Sequence, residues 1–179
     1  MRFGPPRGVA AHHRAFAGRT RPARPCFAAR MIRKRHDTDL DACVALLAAV
    51  HTHSGYPHRW PDDPARWLTP DGLTDAWVAE ADGAVVGHAA LCGNEVSRLC
   101  VAPAARGTGL GGRLLRAAET RAAARGVRPV LTVKATDTAA IGLYERRGWI
   151  RRATEREDWG HGGTVTVHRY EAPAGRPAH

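Results

Sequence analysis

A short apolar run, a proline and four glycines stand together between Arg98 and Gly112, and a run with strong helical propensity follows as far as Arg125. Pro103 ends the apolar run, because proline lacks the N–H that a strand ladder needs. The glycines that open the helix are Gly107, Gly109, Gly111 and Gly112. This order predicts a strand, a polar loop and a glycine-rich helix start.

The start of that helix predicts a binding site for phosphate groups. The first four N–H groups of a helix have no intrahelical partner, and the helix dipole adds roughly half a positive charge there. Glycine lets the backbone approach an anion without a Cβ in the way. Arg106 adds a cation at the entrance. The arrangement suits a pyrophosphate.

Two nucleotide-binding motifs match this segment only in part. Three of the glycines satisfy the dinucleotide pattern G-x-G-x-x-G, but the acidic residue expected about 20 residues later is absent from 130–134. Gly107 and Gly112 also have the spacing of a P-loop. Arg113 and Leu114, however, stand where a P-loop has Lys and then Ser or Thr. The sequence therefore disfavours both kinds of site.

A third pattern, Arg-x-x-Gly-x-Gly after a strand ending in Val-x-Pro, fits from Leu99 to Gly111 without a defect. A second segment, from Asp137 to Trp149, reads Asp-Thr-Ala-Ala-Ile-Gly-Leu-Tyr-Glu-Arg-Arg-Gly-Trp. Together they resemble the two landmarks of the GNAT superfamily, the acyl-CoA-dependent N-acyltransferases. The second landmark usually begins with Asn and ends with Phe; Asp can cap a helix as Asn does, and Trp is an apolar substitute for Phe. The resemblance covers roughly Ile32 to Glu171.

The resemblance implies acetyl-CoA as co-substrate, bound where the strand at 94–101 splays away from the strand at 130–134. Backbone groups near Leu99 would pair with the pantetheine amides, and the Val101 N–H would polarise the thioester carbonyl. The implied cofactor-binding residues are Leu99, Cys100, Val101, Arg106, Gly107, Thr108, Gly109, Leu110, Gly111, Gly112, Asp137, Ala140 and Tyr144.

The same resemblance suggests two catalytic side chains. An alkylamine is mostly protonated at about pH 7, so a base must take its proton and an acid must protonate the departing thiolate. Family members commonly use Tyr at the position of Tyr144, which we take as the acid. Some protein-modifying members carry Glu at the position of Glu95, which we take as the base, although a bulge common in the family decides which face it occupies. The alternatives are a buried ring for Tyr144, and a solvated carboxylate with His53 or His58 assisting proton removal.

The resemblance also implies that acceptor selection lies in the span from His51 to Pro70 and in the hairpin around Gly160 to Gly163, because these segments flank the acceptor side in the family. The first span contains three aromatic residues and two acids: Tyr56, Trp60, Trp67, Asp62 and Asp63. Aromatic walls with carboxylates suit a cationic amine, and ordinary packing on the sheet is the alternative. We take Tyr56 and Trp60 as acceptor-binding residues. The acceptor is either a small-molecule amine or a peptide amine.

Metal binding and covalent catalysis are disfavoured. His51, His53 and His58 lie close together in the sequence, but no cysteine or carboxylate cluster accompanies them. Cys100 lies beside the expected acyl site, yet no His or Asp is spaced to activate it. We therefore expect no metal and no cysteine nucleophile.

The predicted elements follow the order strand, two helices, three strands, helix, strand, helix and two strands, which is typical of an α+β fold. Apolar spacing and turn residues place them near 31–35, 40–50, 64–68, 76–81, 84–91, 94–101, the glycine-led helix that continues through 113–125, 130–134, 138–147, 149–156 and 164–170. Asp82-Gly83 is a two-residue hairpin signal. The expected GNAT fold is a mixed, mostly antiparallel sheet of six to seven strands flanked by about four helices.

Charge and composition divide the chain. Residues 1–30 hold seven of the 27 basic residues and no acid, and read as a disordered arm or as sequence upstream of a true start at Met31. The other 20 basic residues face 17 acidic ones, which gives little support for a nucleic-acid partner. We expect one N-acetyltransferase domain at 31–171 and a disordered tail at 172–179.

The chain has no apolar run near the roughly 20 residues of a membrane span, and no secretory signal. Its four cysteines form no C-x-x-C pair, so free thiols in a reducing cytoplasm are expected. We expect a monomer or homodimer that transfers an acetyl group directly to an amine in a ternary complex. The alternatives are a non-catalytic acyl-CoA sensor and a nucleic-acid-binding protein acting through the arginine arm.

Overall fold

The computed structural model describes residues 30–158 and 163–174. These residues form seven strands, at Arg30–Lys34 (β1), Leu73–Ala81 (β2), Ala84–Cys92 (β3), Glu95–Val101 (β4), Val130–Lys134 (β5), Ile150–Asp158 (β6) and Thr164–Glu171 (β7). The α-helices are Leu40–Ser54 (α1), Pro64–Leu68 (α2), Leu110–Ala124 (α3) and Thr138–Arg146 (α4), with short 3-10 turns at Asp37–Asp39 and Pro103–Ala105.

The strands form one sheet in the order β1-β2-β3-β4-β5-β7-β6. Neighbouring strands are antiparallel except for β4 and β5, which run parallel. Within the described ranges β4 and β5 share a single register pair, Glu95 with Val130. The predicted α+β class, the mostly antiparallel sheet and the splay between these two strands are confirmed.

The helices cover opposite faces of the sheet. Adjacent residues of β2 show this, because Trp77 belongs to one apolar cluster and Val78 to the other, and successive strand residues point to opposite faces. The cluster of α1 and α2 contains Cys43, Leu46, Leu47, Val50, Leu68, Val78 and Cys100. The cluster of α3 and α4 includes Leu110, Leu114, Leu115, Ala118, Leu131, Tyr144 and Tyr170. None of the described helices combines the length and the apolar character of a membrane span.

Short turn motifs in the sequence predicted most of the ends of the helices and strands. The hairpin turn predicted at Asp82-Gly83 is confirmed, with φ values of +51° and +76°, as a type I′ turn requires. The short helix predicted at 64–68 is also confirmed. Residues 51–54 were predicted to lie in a loop-rich span, but they are helical. α1 continues until Gly55, whose φ of +67° ends the helix.

The packed domain extends past Glu171. Ala172 is buried, and its N–H donates to the Pro129 carbonyl at 2.9 Å. The arm predicted at 1–30 lies outside the described residues except for Arg30, and the tail predicted at 172–179 does so from residue 175. Most of the predicted acceptor hairpin at Gly160–Gly163 lies outside them too.

Gly87, on β3, is packed too tightly for a side chain. A Cβ there would lie 2.9 Å from Leu114 Cδ1 and 3.0 Å from Ala79 Cβ. Gly87→Ala is therefore expected to lower the free energy of unfolding by about 1–3 kcal/mol, because a neighbour must shift. The control is Gly163→Ala, whose Cβ would meet nothing within 4 Å, and it should change stability by less than about 0.5 kcal/mol. Urea unfolding measures both variants, and equal midpoints would contradict the prediction.

Candidate functional site

A wedge opens between β4 and β5 beyond their shared pair. The Val130 N–H donates to the Asn94 carbonyl at 2.9 Å, and Glu95, the first residue of β4, is in register with Val130 of β5. From there β4 continues to Val101, while β5 continues to Lys134 along β7. Among the described strands, the β4 edge that faces β5 thus has no ladder partner along most of its length. Such free N–H and C=O groups can pair with an extended ligand.

The start of α3 follows directly after β4. Gly107 and Gly109 have φ values of +73° and +85°, which glycine adopts without strain. Gly109 is the N-cap, and its carbonyl accepts the Arg113 N–H at 3.1 Å. α3 therefore begins at Leu110, within the glycine-rich segment that was predicted to open it. The N–H groups of 110–112 have no intrahelical acceptor and remain available to an anion.

Arg106 lies between the end of α1 and the end of β4. Its Nη2 donates to Ser54 Oγ at 3.2 Å, and its Nε donates to the Val101 carbonyl at 3.4 Å. The loop is further fixed by Thr108, whose hydroxyl donates to the Ala105 carbonyl at 2.6 Å. The guanidinium is therefore held at the entrance of the wedge, where the sequence predicted a cation.

Tyr144 is held rigidly on α4. Asp137 caps the helix by accepting the Ala140 N–H at 3.0 Å, as the second sequence segment predicts. The Tyr144 ring is 7% exposed and lies 6.0 Å from the Trp149 ring and 5.9 Å from the Tyr170 ring. Burial raises the pKa of the Tyr144 hydroxyl well above its ordinary range. The hydroxyl is thus protonated at neutral pH and can donate to a ligand.

Tyr56, in the loop after α1, lies within electrostatic range of Tyr144. Burial raises the pKa of its hydroxyl above the ordinary range, and the charges of Cys100, Arg98 and Tyr144 also act on that pKa. The Tyr56 ring meets the Trp67 ring edge-on at 5.9 Å. Side chains of β4 and α4 therefore act on the hydroxyl of a residue in the α1–α2 loop.

Trp60 packs against α1. Its ring lies 5.4 Å from the His51 ring, and His51 Nδ1–H donates to the Pro57 carbonyl at 3.0 Å. Both contacts fix the loop that carries Tyr56. Across residues 30–158 and 163–174, no group of three His, Cys, Asp or Glu side chains could hold a metal ion.

Glu95 lies at the closed end of the wedge. It is exposed and precedes Leu99 by four residues, or roughly 13 Å along an extended strand. With Thr132, Arg152 and other residues it lines a cavity of about 230 Å³. The charge of Glu95 acts on the pKa of Arg169. It is not among the charges that shift the pKa of Tyr56 or of Tyr144. The structure thus places Tyr56 within electrostatic range of Tyr144 and leaves Glu95 at the closed end of the wedge.

The last three residues of β4 pack against the two apolar clusters. Leu99 and Val101 pack against the cluster of α3 and α4, whereas Cys100 belongs to the cluster of α1 and α2. Cys100 is 6% exposed, and burial raises the pKa of its thiol to about 12. The thiol is therefore protonated at neutral pH, unlike the thiolate of a cysteine nucleophile.

A bulge in β4 depends on residues that sequence reasoning missed. Arg98, with φ of +54°, and Leu99 stand opposite a single residue of β3. His88 is fully buried, and its Nδ1–H donates to the Arg98 carbonyl at 3.0 Å. Its Nε2 accepts from Arg35 Nη1 at 3.1 Å, which fixes the tautomer because arginine can only donate. In the sequence, the only signal for this arrangement is that His88 is the one histidine among the apolar residues of β3.

A family model described as an acetyltransferase (GNAT) domain matches residues 61–164. Mycothiol acetyltransferase from Kineococcus radiotolerans is 37% identical over an alignment of 120 residues that covers 62% of this chain and 38% of that protein. The chain thus spans well under two thirds of the length of this relative.

Solved structures share the fold. The ribosomal-protein-S18-alanine N-acetyltransferase from Escherichia coli has a TM-score of 0.65 at 21% identity, covering 84% of this chain and 99% of that one. A protein from Salmonella typhimurium, solved with its cofactor acetyl-CoA, has a TM-score of 0.62 at 22% identity, covering 84% and 97%. Because the family model spans more than half of the chain and the splayed sheet agrees with these folds, the chain belongs to the GNAT acetyltransferase family.

Proposed function

We propose that this chain transfers the acetyl group of acetyl-CoA to a primary amine by direct attack while both molecules are bound. The observation that carries the proposal is the wedge between β4 and β5, with the free N–H groups of α3 at its entrance and the Tyr144 hydroxyl beside it. One opening thus combines a strand edge, an anion site and a proton donor.

The residues at the wedge fit acetyl-CoA. The left-handed Gly107 and Gly109 carry no Cβ that would block a pyrophosphate from the N–H groups of 110–112. Arg106 supplies a fixed cation at the same entrance. The unpaired edge of β4 offers N–H and C=O groups to the amides of a pantetheine arm.

Bound acetyl-CoA supplies an electrophilic thioester and a thiolate leaving group. We assign the Val101 N–H as the donor to the thioester oxygen and the Tyr144 hydroxyl as the acid that protonates the thiolate. Glu95 is the proposed base, and its place at the closed end of the wedge favours proton transfer through water over direct contact. The amine loses one proton as the C–N bond forms, and the sulfur gains one as the C–S bond breaks.

Ligand-dependent melting tests the binding step. Acetyl-CoA at about 100 times its Kd should stabilise the fold by about 2.7 kcal/mol and raise the melting temperature by about 5–10 °C. NAD and ATP should leave it unchanged, because the segment lacks the acidic residue and the lysine that those ligands need. Differential scanning fluorimetry measures all three, and a flat response to acetyl-CoA would overturn the proposal.

The transfer itself is tested by thiol release from acetyl-CoA across a panel of small-molecule and peptide amines. Release that depends on an added amine supports an N-acetyltransferase. Binding of acetyl-CoA with no release across the panel would instead support an acyl-CoA sensor, the alternative considered from the sequence.

A further inference from the structure

Arg98 is a fixed cation on the wall of the candidate site. Its Nε donates to the Trp67 carbonyl at 3.0 Å, and its guanidinium carbon lies 4.1 Å from the centre of the Trp67 ring. Its backbone is held by the bulge and by the buried His88. A guanidinium stacked on an indole and hydrogen-bonded to its backbone is preorganised, so little freedom is lost when it binds a ligand.

The charge of Arg98 has no counter-ion in the part of the chain that the structure describes. Several other arginines of the sheet pair with acids, for example Arg33 with Asp39 at 2.7 Å and Arg169 with Glu155 at 2.7 Å. No ion pair within 30–158 and 163–174 includes Arg98. Its terminal nitrogens therefore remain available, and their fork matches the two oxygens of a carboxylate.

The acids expected beside the acceptor do not neutralise this charge. Asp63 is occupied as the cap of α2, where its Oδ1 accepts the Arg66 N–H at 2.9 Å. On the other side of the wedge stands a second cation, Lys134, whose Nζ lies 3.3 Å from His58 Nδ1. Arg98 and Lys134 thus place two positive charges beside the wedge.

The contact between Lys134 and His58 also limits the shape of the acceptor. It joins the loop after α1 to the end of β5, and so it crosses the open end of the wedge. A site crossed in this way suits a small molecule better than a polypeptide chain that continues in both directions.

We infer that Arg98, stacked on Trp67 beside Tyr56, binds a carboxylate of the acceptor, and that the acceptor is a small molecule carrying an amine and a carboxylate. The inference rests on the acetyl transfer proposed above and names the substrate class of that same site. The carboxylate at Arg98 and the amine near Tyr144 would orient the acceptor at both ends.

A binding experiment tests the subsite without turnover. The probes are the N-acetyl derivatives of glycine, serine and phenylalanine, each as the free acid and as the primary amide, added to the full chain with CoA. The free acids are expected to bind about 10- to 100-fold more tightly than the amides, the worth of a charge-assisted pair. Arg98→Gln should abolish this preference, and Arg98→Lys should retain part of it because the charge remains.

The matched control is Arg66→Gln. Arg66 lies next to Trp67 on α2, but its side chain is 73% exposed and meets only Asp71, at 3.6 Å, among the ion pairs described. This variant should keep the full preference for the free acids. A preference that survives in Arg98→Gln, or free acids that bind no better than amides to the unmodified chain, would overturn the inference.

Thiol release from acetyl-CoA separates the two ways of failing. If the transfer proposal fails, no amine releases thiol, but the free-acid preference and its loss in Arg98→Gln persist. If the subsite fails, Arg98→Gln changes kcat/KM for amino acids and for their amides by the same factor, so that the ratio between them stays that of the unmodified chain.

Discussion

Replacing Tyr144 by Phe is expected to lower kcat by about 100- to 1,000-fold, the range that general acid catalysis contributes. The ring remains, so the contacts with Trp149 and Tyr170 persist and only the hydroxyl is lost. The Kd of acetyl-CoA should stay within about twofold, because an interaction made only in the transition state affects kcat and not binding. Steady-state kinetics and fluorimetric titration measure the two quantities.

Tyr170→Phe is the control for this variant. Its hydroxyl donates to Glu145 Oε1 at 2.9 Å in the same aromatic cluster, so removing it tests a lost hydrogen bond without the proposed proton transfer. Stability should fall by about 1 kcal/mol with kcat within about twofold of the unmodified chain. Equal losses of kcat in both variants would remove Tyr144 from the role of acid.

The second large effect is a loss of stability on acidification that depends on His88. Burial lowers the pKa of this imidazole from 6.5 to about 4 in the folded chain. Between these values the unfolded chain binds more protons than the folded one, so stability falls as the pH falls from about 6.5 to about 4. The contribution is about 3 kcal/mol. Urea unfolding at closely spaced pH values measures it.

His88→Gln separates this effect from the titration of the carboxylates. Glutamine does not titrate, yet its amide can donate to the Arg98 carbonyl and accept from Arg35. Hydrogen bonds lower the pKa of Asp39 and of Asp75 below the usual 3.8, so their contributions are lost only at still lower pH. The variant should be nearly flat between about pH 6.5 and about pH 4.5. An unchanged slope would show that His88 does not cause the loss.

The parts of this fold that could be predicted are those fixed by local chemistry. The positive φ of Asp82-Gly83, the glycines before α3 and the cap at Asp137 each follow from a few neighbouring residues. The glycine-led start of α3 is also found as predicted, since the helix begins at Leu110 and contains Gly111 and Gly112. A Cβ at Gly111 would lie 3.3 Å from Leu143 Cδ2, so tertiary packing against α4 explains the glycine there.

The parts that could not be predicted depend on residues far apart in the sequence. The stacking of Arg98 on Trp67 joins positions separated by 31 residues, and the bulge that permits it breaks the alternation on which strand patterns rely. Glu95 and Tyr144 were predicted from separate local segments. Their separation depends on where the wedge closes, which is set by the register between β4 and β5.

The splayed sheet also bears on how the chain avoids aggregation. Unpaired strand edges are templates for pairing with another chain. Here the free edges of β4 and β5 face each other inside the sheet, between strands already joined at Glu95 and Val130. The outer edges of the sheet are β1 and β6, and β6 carries closely spaced charges at Arg151, Arg152, Glu155, Arg156 and Glu157. The edge left open for a ligand is thus internal, while the outer edge at β6 is protected by charge.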